Sequence, residues 1–278
     1  MASALLLQDL KDRLARRDVV AVIGTGVSRS ATGNNPIADW RGLLEHGTSR
    51  CEQVAAGLPP SWGDRVRADL ASPDLDDLLC AAEKIARKLD APKGGEYRRW
   101  LRETVGRLQA RTPGVIEALR DLHVPLATTN YDDLVEQVTG APPVTWRESA
   151  QVERVIRGDD PGVIHLHGHW KDPESIVFGI RSYESVLHDL HAQATLQALR
   201  TTRTLLFIGY GDGLADPNLG ALLRWSRGLF AGAEYRHFRL ALEGDVERLQ
   251  TTHPPEERLF VLSYGASYAD LEPFLRAL

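Results

Sequence analysis

The apolar positions of the chain follow two periods. Near the start, Leu7, Leu10 and Leu14 recur at helical spacing, which predicts an amphipathic helix over residues 3–17. Directly after Asp18, the run Val19-Val20-Ala21-Val22-Ile23 is apolar at every position, as in a strand covered on both faces of a parallel sheet. Runs at 124–128, 163–167, 204–209 and 259–262 have the same character. A sixth, His237-Phe238-Arg239-Leu240-Ala241-Leu242, alternates and is expected nearer a sheet edge. Helical patterns at about 114–121, 131–139, 182–199, 217–230, 244–252 and 268–277 separate most of these runs. Strands alternating with helices predict an α/β fold, a Rossmann-like doubly wound parallel sheet.

One stretch breaks the alternation. Between Trp40 and Arg111 nothing reads as a strand; Leu75, Leu78, Leu79, Ala82, Ile85 and Leu89 mark one helix, and Trp100, Val105 and Leu108 another. This predicts a helical insertion at 41–111 within a single domain spanning 1–278. Residues 141–161 are expected to be a loop region holding one short element at most.

Composition agrees with a globular chain. It has 278 residues, 43% hydrophobic and 26% charged, which excludes a disordered chain, a collagen and a coiled-coil rod. A net charge of −5 argues against nucleic-acid binding by the chain as a whole. The longest apolar runs fall far short of the ~20 residues that span a bilayer. Leu5-Leu6-Leu7 is too short for the apolar core of a signal peptide. A cytoplasmic protein with no membrane partner is expected. Two cysteines, Cys51 and Cys80, are too few for a disulfide framework or a four-cysteine zinc site, and both are expected as buried structural thiols.

Candidate chemistry begins where the first strand ends. Gly24-Thr25-Gly26-Val27-Ser28 is a glycine turn of the kind that lets backbone N–H groups approach an anion at a helix N-terminus. The full dinucleotide fingerprint is not met, because Arg29 holds the third glycine position, and no P-loop lysine follows. A purely structural turn stays open. Asn130 and Asp132 can cap the helix that follows them. Trp40 can be a core residue, and the arginines between Arg98 and Arg111 can form a solvated helix face. His165, His167 and His169 alternate as strand-borne metal ligands do, so a metal-dependent hydrolase is a second reading.

Taken in order, these segments resemble the sirtuin family. The turn 24–28 is similar to the sirtuin G-A-G-x-S, with Thr25 for alanine. Pro36-Ile37-Ala38-Asp39-Trp40-Arg41 resembles the P-D-F-R loop, with a residue pair inserted and Trp40 for phenylalanine. Thr128-Thr129-Asn130-Tyr131-Asp132 resembles T-Q-N-x-D, with Thr129 for glutamine, and His167-Gly168 resembles H-G. Gly209-Tyr210-Gly211-Asp212, followed by Asp216-Pro217-Asn218-Leu219, is similar to a stretch of prokaryotic sirtuin-like domains, as is the closing helix at 269–275. Protein-deacetylating sirtuins carry a four-cysteine zinc module after H-G. Here that segment holds no cysteine, and 176–200 reads as a short strand and a helix. Both this departure and the large insertion match the sirtuin-like domains of bacterial antiphage defence.

The resemblance implies an NAD hydrolase that releases nicotinamide and ADP-ribose, depleting NAD in abortive infection, with NAD as substrate and no metal. Cleavage at the ribose C1′ carbon passes through an oxocarbenium-like state. By the same resemblance Gly24, Thr25, Gly26 and Ser28 bind pyrophosphate. Asp39, Trp40 and Arg41 form a mobile loop, Trp40 shielding nicotinamide and Arg41 near phosphate. Asn130 holds the ribose hydroxyls or the attacking water, and His167 is the general base, an imidazole ordinarily titrating near neutrality. Asp132 accepts from the nicotinamide carboxamide, and Thr129 joins the binding set. Gly209, Tyr210, Gly211 and Asp216 border the adenosine half. A non-catalytic sensor of NAD or an ADP-ribose nucleotide is the alternative. An unregulated NAD hydrolase would kill its host, so homo-oligomerisation or a regulator (an Argonaute-like protein, an ATPase or a fused sensor domain) is expected.

Overall fold

The computed structural model describes residues 2–190, 192–194, 203–211, 236–253 and 255–278. After helix α1 (Ala2–Ala15) the chain enters strand β1 (Val19–Ile23) and turns into α2 (Thr25–Ala31). Five helices separate α2 from the next strand; the first four are α3 (Trp40–Val54), α4 (Trp62–Ala71), α5 (Leu75–Lys88) and α6 (Gly95–Glu103). Strand and helix then alternate through α7 (Gly114–Asp121), β2 (Leu126–Thr128), α8 (Leu134–Thr139), β3 (Pro143–Thr145), α9 (Ser149–Arg157) and β4 (Val163–His165). The remaining described elements are α10 (Ile180–His188), β5 (Thr204–Ile208), β6 (His237–Leu242), α11 (Val246–Thr251), β7 (Leu259–Gly265) and α12 (Leu271–Arg276).

The strands form one seven-stranded sheet in the order β3-β4-β2-β1-β5-β6-β7, every neighbouring pair parallel. This is an α/β, Rossmann-like fold. The continuous apolar character of β1 has a direct cause. Val19, Ala21 and Ile23 pack with Leu206, Ile208 and Leu240 on one face, while Val20 and Val22 pack with Leu205, Phe207 and Ile164 on the other. A polar residue at any of the five positions would lose its water without gaining a partner. The helices between β1 and β2 join the first of these cores through Leu44, Val66, Ile85 and Trp100. Phe178 gathers the rings of Trp40, Tyr97, Trp100 and Tyr131 around it, with centroids 5.6–6.5 Å away.

Several expectations need correction. β6 does lie near the edge, as expected, but it is not the edge strand itself, because β7 pairs with its outer side. The polar members of the β6 alternation, His237 and Arg239, are buried and hydrogen-bonded inside the fold; the Leu205 N–H, for instance, donates to His237 Nδ1 at 3.1 Å. Residues 141–161 hold a strand and a helix rather than a loop. β3 is only three residues long and starts at Pro143, which an edge strand tolerates because no N–H is needed there. Val152 and Val155 of α9 pack beside Val144 and Ile164. Residues 176–178 form no strand. The Val177 N–H donates to the His167 carbonyl (2.9 Å) and its own carbonyl accepts from the Tyr131 hydroxyl (2.7 Å), which ties this segment to loops. Cys51 is buried, and burial pushes its thiol up to about 12, but Cys80 is exposed. Leu78, Ala82 and Ile85 define the inner stripe of α5, and position 80 faces away from it. The helix expected at 217–230 lies outside the described residues, as does the end of the one expected at 182–199. Among the described residues no helix is long and apolar enough to cross a membrane.

Candidate active site

A cleft of about 550 Å³ opens at the carboxyl ends of β1, β2, β4 and β5. The chain runs from β1 to β2 on one side and returns to β5 on the other, so the cleft sits where the strand order reverses, the place α/β sheets bind ligands. Its lining includes Thr25, Asp39, Trp40, Arg41, Thr129, Asn130, Asp132, His167, Gly209, Tyr210 and Gly211, eleven of the positions singled out from the sequence. The stretch between β1 and β2 supplies an apolar wall through Pro73, in the α4–α5 connection, and Leu75 and Leu78 of α5.

The floor is backbone sewn to backbone. The Gly24 N–H donates to the Ile208 carbonyl (2.8 Å) and the Gly26 N–H to the Gly209 carbonyl (2.9 Å). Gly24 and Gly26 therefore serve a close approach between two strand ends, and Thr25 is the residue of this turn that reaches the cleft. The Tyr210 ring lies against Gly24, where a methyl group would come within 3.0 Å of it. The Tyr210 hydroxyl donates to the Ile23 carbonyl (3.2 Å) and accepts from Thr129 Oγ1 (3.0 Å). Threonine at 129 thus has a partner across the floor.

Asn130 follows the end of β2, and its N–H donates to Thr128 Oγ1 at 3.0 Å. Its side-chain Nδ2 donates to Ser28 Oγ (2.8 Å), and the Ser28 hydroxyl donates to Asp132 Oδ2 (2.8 Å). Serine has one hydrogen, so spending it on the carboxylate obliges Oγ to accept from the amide. Asn130 Oδ1 is buried and has no hydrogen-bond partner among the described residues. Asn130 does not cap the next helix. Nor is Asp132 its N-cap, which is Asp133, but Asp132 Oδ1 accepts from the Leu134 N–H at 3.1 Å and so holds the first turn of α8. Burial pushes the Asp132 carboxyl up to about 6, and the nearby Glu136 charge adds to this; the Ser28 hydroxyl, the Leu134 N–H and His165 pull the other way.

His167 lies just past the end of β4 and packs edge-on against Tyr183 of α10, with ring centroids 5.6 Å apart. Tyr183 also lines the cleft, a neighbour the sequence did not mark. Gly168 has φ +86° and its Cα faces the Ser175 carbonyl, so the chain turns here as only glycine allows.

The segment 36–41 forms a 3-10 turn (Pro36–Ala38) and the start of α3. Asp39 caps α3, Oδ1 accepting from the Gly42 N–H (2.8 Å), while Oδ2 pairs with Arg29. Arg29, at the missing third glycine, thereby fixes the loop to α2. Arg41 lines the cleft and donates to the carbonyls of Leu70 and Ser72 at the end of α4. Trp40 is both cleft wall and core, packed edge-on against Phe178.

Arg239 was not expected here. It is buried on β6, and its guanidinium donates to the carbonyls of Tyr210 (3.2 Å) and Gly211, holding the β5 turn. It also donates to His253 Nε2 (3.0 Å), so the His253 hydrogen sits on Nδ1, facing Glu257 Oε2 at 3.0 Å. The only sequence signal was a charged residue inside an apolar run.

The histidine triplet separates. The strand ends at His165, so alternation does not carry on to His167. His165 binds Glu136 and the Asn130 carbonyl, while His167 faces the cleft. His169 is buried beside His165, and burial, together with the His165 and Lys171 charges, lowers it to about 3. Among the described residues no three His, Cys, Asp or Glu side chains gather to hold a metal ion. Asp216 lies outside the described residues.

A family model described as a SIR2-like domain matches residues 125–268, or 144 of the 278 residues. The chain belongs to the SIR2-like domain family. The matched part carries β2, Asn130, His167 and the β5 turn. The glycine turn and the Asp39–Arg41 segment of this SIR2-like chain precede the match, and it is the tertiary contacts above that bring them to the same cleft. SIR2-like domains bind NAD, and the family includes NAD-using enzymes.

Proposed function

We propose that this chain is an NAD hydrolase that cleaves the nicotinamide–ribose bond and yields nicotinamide and ADP-ribose. The observation that carries the reading is Asn130: a buried carboxamide whose Nδ2 is fixed by Ser28 and whose Oδ1 has no partner among the described residues, on the wall of a cleft that His167 also lines. A buried acceptor left unsatisfied costs roughly 1–3 kcal/mol, which a bound hydroxyl or water removes. The cleft volume falls within the roughly 300–1,000 Å³ of small-molecule sites.

In this reading the C1′–N bond breaks and a C1′–O bond to water forms. Asn130 Oδ1 accepts from the ribose hydroxyl or from the attacking water, and His167 takes the proton that the water loses. Asp132, once ionised, accepts from the nicotinamide amide. Trp40 and the apolar wall keep bulk water from the reacting carbon. Hydrolysis rather than deacetylation is favoured because no cysteine follows His167 to build a zinc module. We place this activity in antiphage defence, as an NAD-depleting effector held in check by self-assembly or a regulatory partner.

The test is to incubate the protein with NAD and follow nicotinamide release by chromatography. Asn130→Ala and His167→Ala are each expected to lower release by at least about 10²-fold, the scale of positioning and proton-transfer contributions, with unfolding midpoints preserved. Full activity in both variants would remove the mechanism. NAD binding without release by the wild-type chain, alone or concentrated, would favour a sensor.

A further inference from the structure

We propose that His165, braced by Glu136, is a positioning residue that aims the Asn130 carboxamide; the inference rests on the hydrolase reading of the cleft. His165 is fully buried at the end of β4. Its Nδ1 lies 2.9 Å from the Asn130 carbonyl oxygen, and its Nε2 lies 2.6 Å from Glu136 Oε1 on α8. A carbonyl only accepts, so Nδ1 carries a hydrogen. Nε2 then faces a carboxylate across a short hydrogen bond. Either the imidazole holds this second proton or Glu136 does. In both cases the pair shares one proton, and the hydrogen on Nδ1 stays aimed at Asn130.

This hold falls where Asn130 needs one. β2 ends at Thr128, so the sheet ladder does not fix residue 130. Its N–H is held by Thr128 Oγ1 (3.0 Å), its side-chain Nδ2 by Ser28 (2.8 Å), and its carbonyl by His165. Three anchors leave Oδ1 as the one polar atom of the residue without a partner among the described residues. Reacting groups must be held within roughly 0.5 Å of the productive geometry, and a misplacement of about 1 Å can cost 10²-fold in rate.

The surroundings suit a shared proton. His169, whose ring centroid is 4.7 Å from that of His165, is held neutral by its burial and adds no charge. Lys171 is paired with Asp133 at 3.3 Å. The acids near the imidazole are Glu136 and Asp132. Glu136 Oε2 is buried with no partner among the described residues, a costly state for a full carboxylate and a smaller one when the proton is shared.

The experiment has a kinetic and a spectroscopic arm. In steady-state nicotinamide release, His165→Ala is expected to lower kcat about 10²-fold with KM for NAD changed less than about threefold. His165→Asn places an amide N–H where Nδ1 sits and is expected to restore at least a tenth of the wild-type kcat. Glu136→Gln keeps a hydrogen-bonding partner for Nε2 and is expected to exceed Glu136→Ala. An unchanged kcat in His165→Ala would overturn the proposal, and so would a kcat loss matched by a rise in KM with no rescue by asparagine. The second arm is nitrogen NMR of the wild-type chain labelled in histidine, which needs neither turnover nor a variant that folds. A protonated His165 Nδ1 from pH 5 to 8 supports the hold, and a bare Nδ1 overturns it. If the wild-type chain releases no nicotinamide, the hydrolase reading falls while this second arm still decides whether His165 grips Asn130.

Discussion

Gly26 and Gly209 meet backbone to backbone, the Gly26 N–H donating to the Gly209 carbonyl at 2.9 Å. A methyl group on Gly26 would stand 2.8 Å from that oxygen, and one on Gly209 would stand 2.8 Å from the Val27 nitrogen. The turn after β1 and the turn after β5 therefore act as one unit that floors the cleft, and neither can shift without the other.

Gly209→Ala tests this unit. At φ +75° the alanine is strained and its methyl group also meets backbone that cannot yield. A loss of at least about 1–3 kcal/mol is expected from the backbone conformation alone. Urea denaturation measures it; an unchanged midpoint would show that the two turns are not locked together.

Asp132 is expected to make stability and, on the hydrolase reading, nicotinamide release respond to pH in opposite directions. Its carboxyl ordinarily titrates at 3.8 and in the folded chain is pushed up to about 6, chiefly by burial. Between these values the folded state binds more protons than the unfolded one, so the Asp132 contribution to stability is full below about 4 and is lost as pH rises through 6. The wild-type chain should lose stability relative to Asp132→Asn over that window in denaturation series. Nicotinamide release, if it needs the carboxylate, should rise through pH 6 and flatten in Asp132→Asn. Ser28→Ala removes a hydrogen bond that favours the carboxylate, so the acid limb should move to higher pH.

Arg239 and the β5 turn give a third prediction. A lysine has neither the planar fork nor the reach to serve Tyr210, Gly211 and His253 together. Arg239→Lys is expected to raise KM for NAD several-fold with a smaller change in kcat, because it frees the turn at the far side of the cleft from His167. Equal losses in both parameters would place Arg239 in general stability instead.

The candidate site was legible through the resemblance to sirtuin motifs, whose residues here sit at strand ends, where an apolar run stops. Thr129, Asn130 and Asp132 follow one such stop, and Gly209 to Gly211 another. What each side chain does there was not legible. Asp39 and Arg41 could be chosen from a pattern, yet their bonds to Arg29, Leu70 and Ser72 depend on how α2, α3 and α4 pack. Arg239 reads as an interruption in a strand until the Tyr210 and Gly211 carbonyls are seen above it.

Most of the alternation of strands and helices and the double covering of β1 and β5 were set by local pattern, because burial on both faces of these strands leaves no room for polar residues. Tertiary structure alone decided which polar groups are satisfied. His165 and His167 are two residues apart, and along the chain only the resemblance to H-G sets the second one off; in the fold the strand stops between them. One turns toward Glu136 and the Asn130 carbonyl and the other toward the cleft. Hydrogen-bond partners more than twenty residues apart in the chain are chosen by packing, and no spacing along the sequence encodes them.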